Sequence, residues 1–264
     1  MPWSERQRAM LREMGIPLWV PEPPAAQAPA AIVPPEAKAA TPKHVAEPEP
    51  LDFMPAAAAP PGAVSSLDWP ALRSAVADCR ACSLCQTRKQ TVFGVGSPQA
   101  KWMVVGEAPG EQEDAQGEPF VGVSGQLLDQ MLAALGLTRA EDGAPPERQV
   151  YIANTLKCRP PRNRNPAPQE MAQCEPYLQR QIELLQPRLI LAMGRFAVQA
   201  LLRSEEPIGK LRGRVHRYHG VPLVVTYHPA YLLRNLPDKA RAWEDLCLAA
   251  GVARAAPEPQ GTKR

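Results

Sequence analysis

Four of the six cysteines in this 264-residue chain form a split set: Cys79 and Cys82 as C-x2-C, then Cys158 and Cys174 with fifteen residues between them. A local zinc knuckle closes over a few tens of residues, but roughly seventy-five residues separate these halves, room for a βαβ unit to fold between them. The set therefore predicts a tertiary metal site that clips a domain together. Thiolate coordination suits zinc or an iron–sulfur cluster, and spacing alone does not separate the two. Cys85 extends the first pair to C-x2-C-x2-C, the run of small ferredoxins, without the x3-C-P continuation. Cys85 and Cys247 are read as ordinary thiols, Cys247 packed in the last helix.

The net charge is +3, too small to argue for a nucleic-acid partner unless the cations cluster on one face. No secretory h-region and no apolar stretch of membrane-spanning length is present, so a cytoplasmic, nucleoid-associated monomer is expected. Composition breaks near residue 66. Residues 20–66 are rich in Pro and Ala with no periodic apolar face, and such a segment cannot bury enough surface to offset its ordering entropy. It reads as a disordered linker. Before it, residues 1–19 hold a short amphipathic helix capped by Ser4 and ended by Gly15, too short to persist alone and suited to docking on a partner. Residues 67–255 form one globular domain, and 256–264 a disordered tail.

Within the domain, short runs that are apolar on both faces alternate with helical patterns. Strands are expected at 101–106, 150–155, 188–193 and 221–227, and helices at 124–135, 167–185, 195–202 and 238–250. This pattern predicts a four-stranded parallel sheet covered on both sides, an α/β/α sandwich whose ligands bind beyond the carboxyl ends of the strands. Each strand end carries polar or Gly-rich chemistry. Gly106-Glu-Ala-Pro-Gly110-Glu-Gln-Glu113-Asp114 and Pro119-Phe120-Val-Gly122 follow the first strand. Asn154-Thr-Leu-Lys-Cys158-Arg-Pro-Pro-Arg-Asn163-Arg164 follows the second, and His228-Pro-Ala-Tyr231-Leu-Leu-Arg234 the fourth.

With the split cysteines, these blocks resemble in order the family 4, iron–sulfur uracil-DNA glycosylases over nearly all of residues 75–250. The resemblance implies removal of uracil from DNA and a [4Fe-4S] cluster held away from the chemistry by Cys79, Cys82, Cys158 and Cys174. Cleaving an N-glycosidic bond in DNA requires the nucleotide to be turned out of the duplex and its base held by stacking and edge hydrogen bonds. Phe120 offers the stacking face. The Asn154 amide is complementary to uracil N3–H and O4, and cytosine presents the opposite pattern. By resemblance, Glu113 excludes the thymine methyl group. The leaving group is a uracil anion, so catalysis calls for fixed donors aimed at O2. His228 is the expected donor, with backbone N–H groups of the Glu107–Gly110 turn as a second contact. By resemblance Glu107 and Asn163 form the polar pair that positions water or orients the site. Ala108 stands where better-known uracil glycosylases keep an aspartate, which leaves the water-activating group open.

Arg159, Arg162 and Arg164, with Lys157 alongside, read as a phosphate clamp. Tyr231, Leu232, Leu233 and Arg234 read as a loop that pushes into the base stack. The basic run Leu211 to Arg217 reads as an edge strand pair or loop. Two other functions fit the residues: a non-catalytic iron–sulfur DNA-binding module, and a zinc-clamped α/β enzyme acting on nucleotides. Finally, Leu11-Arg-Glu-Met-Gly-Ile-Pro-Leu-Trp19 resembles the L-x-x-[LM]-G-I-x-x-W element of the psi subunit of the bacterial replicase clamp loader. The resemblance implies binding to the chi subunit through residues 4–19.

Overall fold

The computed structural model describes residues 64–140 and 143–255. The docking segment expected at 1–19, the linker up to residue 63 and the tail at 256–264 lie outside the described residues. Among the described residues no helix is long and apolar enough to cross a membrane.

The chain builds an α/β sandwich. Helix α1 (Trp69–Ala77) is capped by Asp68, whose carboxylate accepts from Ala71 N at 2.9 Å. Strand β1 (Trp102–Gly106) is followed by the short helix α2 (Glu111–Gln116) and by α3 (Val123–Ala134). Strand β2 (Val150–Asn154) leads to α4 (Pro168–Leu185), and β3 (Leu189–Met193) to α5 (Arg195–Leu202). Then come the one-turn helix α6 (Ile208–Leu211), β4 (Val215–Tyr218), β5 (Val221–Thr226), the one-turn helix α7 (Pro229–Leu232) and α8 (Asp238–Ala255).

The strand order is β2-β1-β3-β5-β4. The four expected strands are the parallel ones, and β4 adds a fifth, antiparallel to β5. That strand is formed by the basic run, and it pairs through a two-residue turn in which His219 and Gly220 both take positive φ, 46° and 85°. Such a turn matches the twist of a hairpin.

Alternation along each strand divides the core in two. Met103, Val105, Tyr151, Ala153, Ile190 and Ala192 face α4 and α5, whereas Trp102, Val104, Val150, Ile152, Leu189 and Leu191 face α3 and α8. Both faces are dry, which is why the strands read as continuous apolar runs. A third cluster joins Val64, Leu72, Val76, Leu84 and Phe93 to Leu156, Cys158, Cys174 and Tyr177. It forms the wall on which the cysteines sit.

One contact fixes where α3 begins. A Cβ added at Gly125 would lie 1.7 Å from the Phe120 carbonyl oxygen, so only glycine lets the helix approach that loop. Phe120 takes φ 56°, an uncommon conformation for a bulky residue that the surrounding contacts must hold. Gly125→Ala is therefore expected to destabilise the domain by about 1–3 kcal/mol through forced displacement. Gly251→Ala, inside α8 with nothing near its Cβ, should stabilise it by about 0.5–1 kcal/mol. Denaturant unfolding of the two variants checks this; equal effects of one sign would contradict it.

Candidate active site

The carboxyl ends of β1, β2 and β5 converge on one cavity of about 230 Å³. Glu107, Ala108, Gly110, Glu113, Phe120, Asn154, Asn163 and His228 all line it, and Arg164 joins them. A larger groove of about 610 Å³ runs between α4 and α5, and it gathers none of the residues expected to meet substrate.

The cavity floor is set by the parallel pairing of Gly106 with Asn154. A Cβ at Gly106 would lie 2.5 Å from Asn154 Oδ1 and 2.6 Å from the Phe120 ring, so glycine at the end of β1 keeps the space between amide and ring open. Asn154 is 2% exposed, and its Oδ1 is buried without a hydrogen-bond partner. Leaving a buried carbonyl unsatisfied costs about 1–3 kcal/mol. In a cavity it marks a place prepared for a donor from outside the chain.

The loop carrying Phe120 is held by Glu113. One carboxylate oxygen accepts from Gly110 N at 3.0 Å, the other from Val121 N at 3.0 Å and Gly122 N at 3.1 Å. Arg139 binds the same loop from outside through the carbonyls of Pro119 and Phe120. Beyond β1 the ladder continues, because Leu156 N and the Thr155 hydroxyl both donate to the Glu107 carbonyl. The Glu107 side chain is half-buried, and burial holds its carboxyl above the usual range against the opposing pull of Arg195.

His228 caps α7, and its Nδ1 accepts from Ala230 N at 3.2 Å. Its ring lies 5.3 Å from that of Phe120, at 28° between planes. The imidazole keeps some surface at the cavity, yet dense surroundings push its pKa down to about 4, with Arg234 adding to the effect and Glu113 opposing it. The ring is neutral at physiological pH. Since Nδ1 accepts, the proton is assigned to Nε2, which makes that nitrogen a donor.

The basic loop divides by engagement. Arg159 Nε donates to Asn163 Oδ1 at 2.7 Å and its guanidinium lies 3.6 Å from Glu111. Arg164 grips Glu170 through two bonds, at 2.6 and 2.9 Å. Arg162 is exposed and takes φ 53°. Lys157 corrects the sequence expectation: it is 1% exposed, its Nζ donates to Asn154 O and Gln181 Oε1, and burial lowers its pKa to about 8 despite the neighbouring Cys174 and Cys158. It is closed to phosphate. Past His228, Tyr231 donates to Asp238 and stacks on Tyr227, and Leu232 is 1% exposed, which removes it from the expected wedge. Leu233 and Leu236 are exposed there.

Several contributors went unread in the sequence. Pro109, Ser124, Pro160 and Ala230 line the cavity, and Gly106 keeps it open; a glycine ending an apolar strand was the available signal for the last. The N-terminal turn of α3 beyond the Phe120 loop was the signal for Ser124.

Cys79, Cys82, Cys158 and Cys174 line a second pocket with Cys85, Arg88 and Tyr177. All are free thiols. Arg88 Nη1 lies 2.9 Å from Cys158 Sγ, and Lys157 N lies 3.2 Å from Cys174 Sγ. Burial pushes the Cys158 thiol up to about 11 and Cys174 up to about 12, so a bound cation is needed to make them thiolates. Four free cysteines lining one pocket, with N–H groups on the sulfurs of Cys158 and Cys174, fit a thiolate-held group. Among the described residues, no three His, Cys, Asp or Glu side chains converge tightly enough for a single metal ion.

The model of the uracil DNA glycosylase superfamily matches residues 93–247. Similar curated proteins include the type-4 uracil-DNA glycosylase of Archaeoglobus fulgidus, 42% identical over 60% of this chain and 79% of that protein. That of Pyrobaculum aerophilum is 39% identical over 70% and 94%, and that of Thermotoga maritima 40% identical over 63% and 83%. The family-model match runs through every strand end described above, and the chain belongs to the uracil DNA glycosylase superfamily, within its type-4 family.

Proposed function

We propose that the protein hydrolyses the N-glycosidic bond of deoxyuridine in DNA, releasing uracil and leaving an abasic site. The observation that carries this reading is the buried, unpartnered Asn154 Oδ1 facing a cavity that Phe120 and His228 also line. A uracil turned into it supplies N3–H to Oδ1 and O4 to the amide NH2, while cytosine meets like groups and leaves both unpaired. Phe120 stacks on the base. Glu113 stiffens the loop that presents Phe120, and its position in the cavity supports the role of excluding the thymine methyl group.

As the bond breaks, negative charge grows on uracil O2. His228, neutral with its proton on Nε2, donates to that oxygen, and the backbone N–H of Ala108 adds to the field, that of Gly110 being taken by Glu113. Glu107 and Asn163 position the water, Asn163 being held by Arg159. Exposed Arg162, with Arg159, Arg164, Tyr231 and Arg234, contacts the phosphates, and Leu233 takes the place vacated in the stack.

We assign a [4Fe-4S] cluster to Cys79, Cys82, Cys158 and Cys174, with Cys85 a bystander. When bound, the group would supply a crosslink between the loop after α1, the loop after β2 and α4; no bond-breaking step passes through it. Zinc is the competing occupant. Iron content and visible absorption of anaerobically purified protein decide between them, and Cys85→Ser should keep the iron that Cys158→Ser loses. The resemblance of Leu11–Trp19 to the psi element supports docking of residues 4–19, which lie outside the described residues, on the chi subunit. Pull-down with wild type but not with the Ile16→Ala, Trp19→Ala pair is the expected result.

Incubation with a uracil-containing oligonucleotide followed by alkaline scission tests the activity. His228→Ala and Asn154→Ala should each lower the rate by about 10²–10³ and retain DNA binding. Retention of the duplex by wild type with no base release would favour the DNA-binding module instead; release from nucleotides alone would favour a nucleotide enzyme. Because burial lowers the His228 pKa to about 4, the imidazole should contribute no titration between about pH 6 and 8. As pH drops toward that value activity should fall through the histidine, because a protonated Nδ1 can no longer accept from Ala230 N–H and the ring loses the position from which Nε2 donates. A loss of rate near the ordinary histidine pKa of about 6.5 would contradict the neutral donor.

A further inference from the structure

Lys157 links the two pockets. Its Nζ donates to the main-chain carbonyl of Asn154 at 2.9 Å and to Gln181 Oε1 at 2.6 Å. Gln181, fully buried, is itself fixed by bonds from Nε2 to Phe93 O at 2.9 Å and to the Tyr151 hydroxyl at 3.2 Å. The backbone N–H of Lys157 meets Cys174 Sγ at 3.2 Å, and Cys158 is the next residue. One residue thus touches the peptide of Asn154 with its side chain and the cysteine pocket with its main chain. A buried ammonium whose hydrogen-bond acceptors are both neutral is costly to keep. An apolar side chain of the same length would fill the space at lower cost. What it would lack is a directed bond on the Asn154 carbonyl, and with it the restraint on how the β2 end is turned.

We propose that Lys157 is a positioning residue for base recognition: braced by Gln181, it fixes the Asn154 peptide and so holds the unpartnered Oδ1 where a uracil N3–H arrives. The bond to Cys174 makes the same restraint depend on an intact cysteine pocket. The inference rests on the uracil-glycosylase reading. Lys157 itself lines no part of the substrate cavity, so its effect must pass through Asn154.

The test compares affinity for two duplexes: one carrying uncleavable 2′-fluoro-2′-deoxyuridine, the other a tetrahydrofuran abasic analogue. Their ratio reports recognition of the base and is insensitive to a lowered folded fraction. Lys157→Met should reduce the ratio about tenfold while affinity for the abasic duplex, iron content and visible absorption stay at wild-type values, as expected for loss of a charged hydrogen bond that acts on the reading group. In an Asn154→Ala background the same substitution should add nothing, since the group it positions is gone. A wild-type ratio in Lys157→Met, or full additivity with Asn154→Ala, overturns the proposal. Should Lys157→Met fail to fold, Gln181→Met passes through the same cycle under the same criteria. A wild type without preference for the uracil duplex overturns the glycosylase reading and the proposal with it; a preference that Lys157→Met leaves intact overturns the proposal alone.

Discussion

An amide oxygen buried at the end of β2 with nothing to accept from is the constraint around which the rest of the molecule is arranged. Folded chains pair nearly every buried polar atom, and here the neighbours of Asn154 leave its Oδ1 without a partner. Gly106 supplies no side chain to fill the space beside it, and Phe120 is held in an uncommon backbone conformation there. Gly125 allows the helix behind that loop to come close enough to hold it. The chain keeps an unsatisfied carbonyl that a ligand can pair. That pattern is expected of a site that must take a base out of its stack and recognise one edge of it.

The same economy governs charge. His228 is kept neutral by its surroundings, and its Nδ1 is occupied by Ala230 N–H, which leaves Nε2 as the ring's one donor. An imidazolium would bind an anion more strongly, but it would need a proton at a pH where the buried ring does not carry one. A preorganised neutral donor avoids that requirement. Glu113 is likewise used for its lone pairs: three backbone N–H groups converge on it, joining the Gly110 turn to the Phe120 loop.

Sequence and structure agree where burial is uniform. The four parallel strands are dry on both faces, so their apolar runs were legible, and the chemistry at their carboxyl ends was legible with them. β4 was legible only as an edge strand pair or loop, because its four residues, Val215-His-Arg-Tyr218, carry no apolar run and its turn, His219–Gly220, lacks the usual asparagine. α2, α6 and α7 are too short for helical periodicity to register. Among site residues, type gave the wrong environment for Lys157: a lysine beside three arginines suggests a solvated face, yet its position three residues past a buried strand end directs it inward. Arg164 and Glu170 look independent along the chain and form a bidentate pair only once α4 has folded. The cysteine set was visible as a spacing, whereas the nitrogen donors from Arg88 and Lys157 that address its sulfurs come from tertiary packing.

If the unpartnered Asn154 oxygen is the feature on which base recognition depends, the proton it awaits is the one on uracil N3. The most direct measurement compares base release from duplexes carrying deoxyuridine and 3-methyldeoxyuridine. The two differ at that single atom and leave the bond to be broken unchanged. The account predicts release of uracil and release of the methylated base slower by at least about 10². Comparable rates for the two substrates would contradict it.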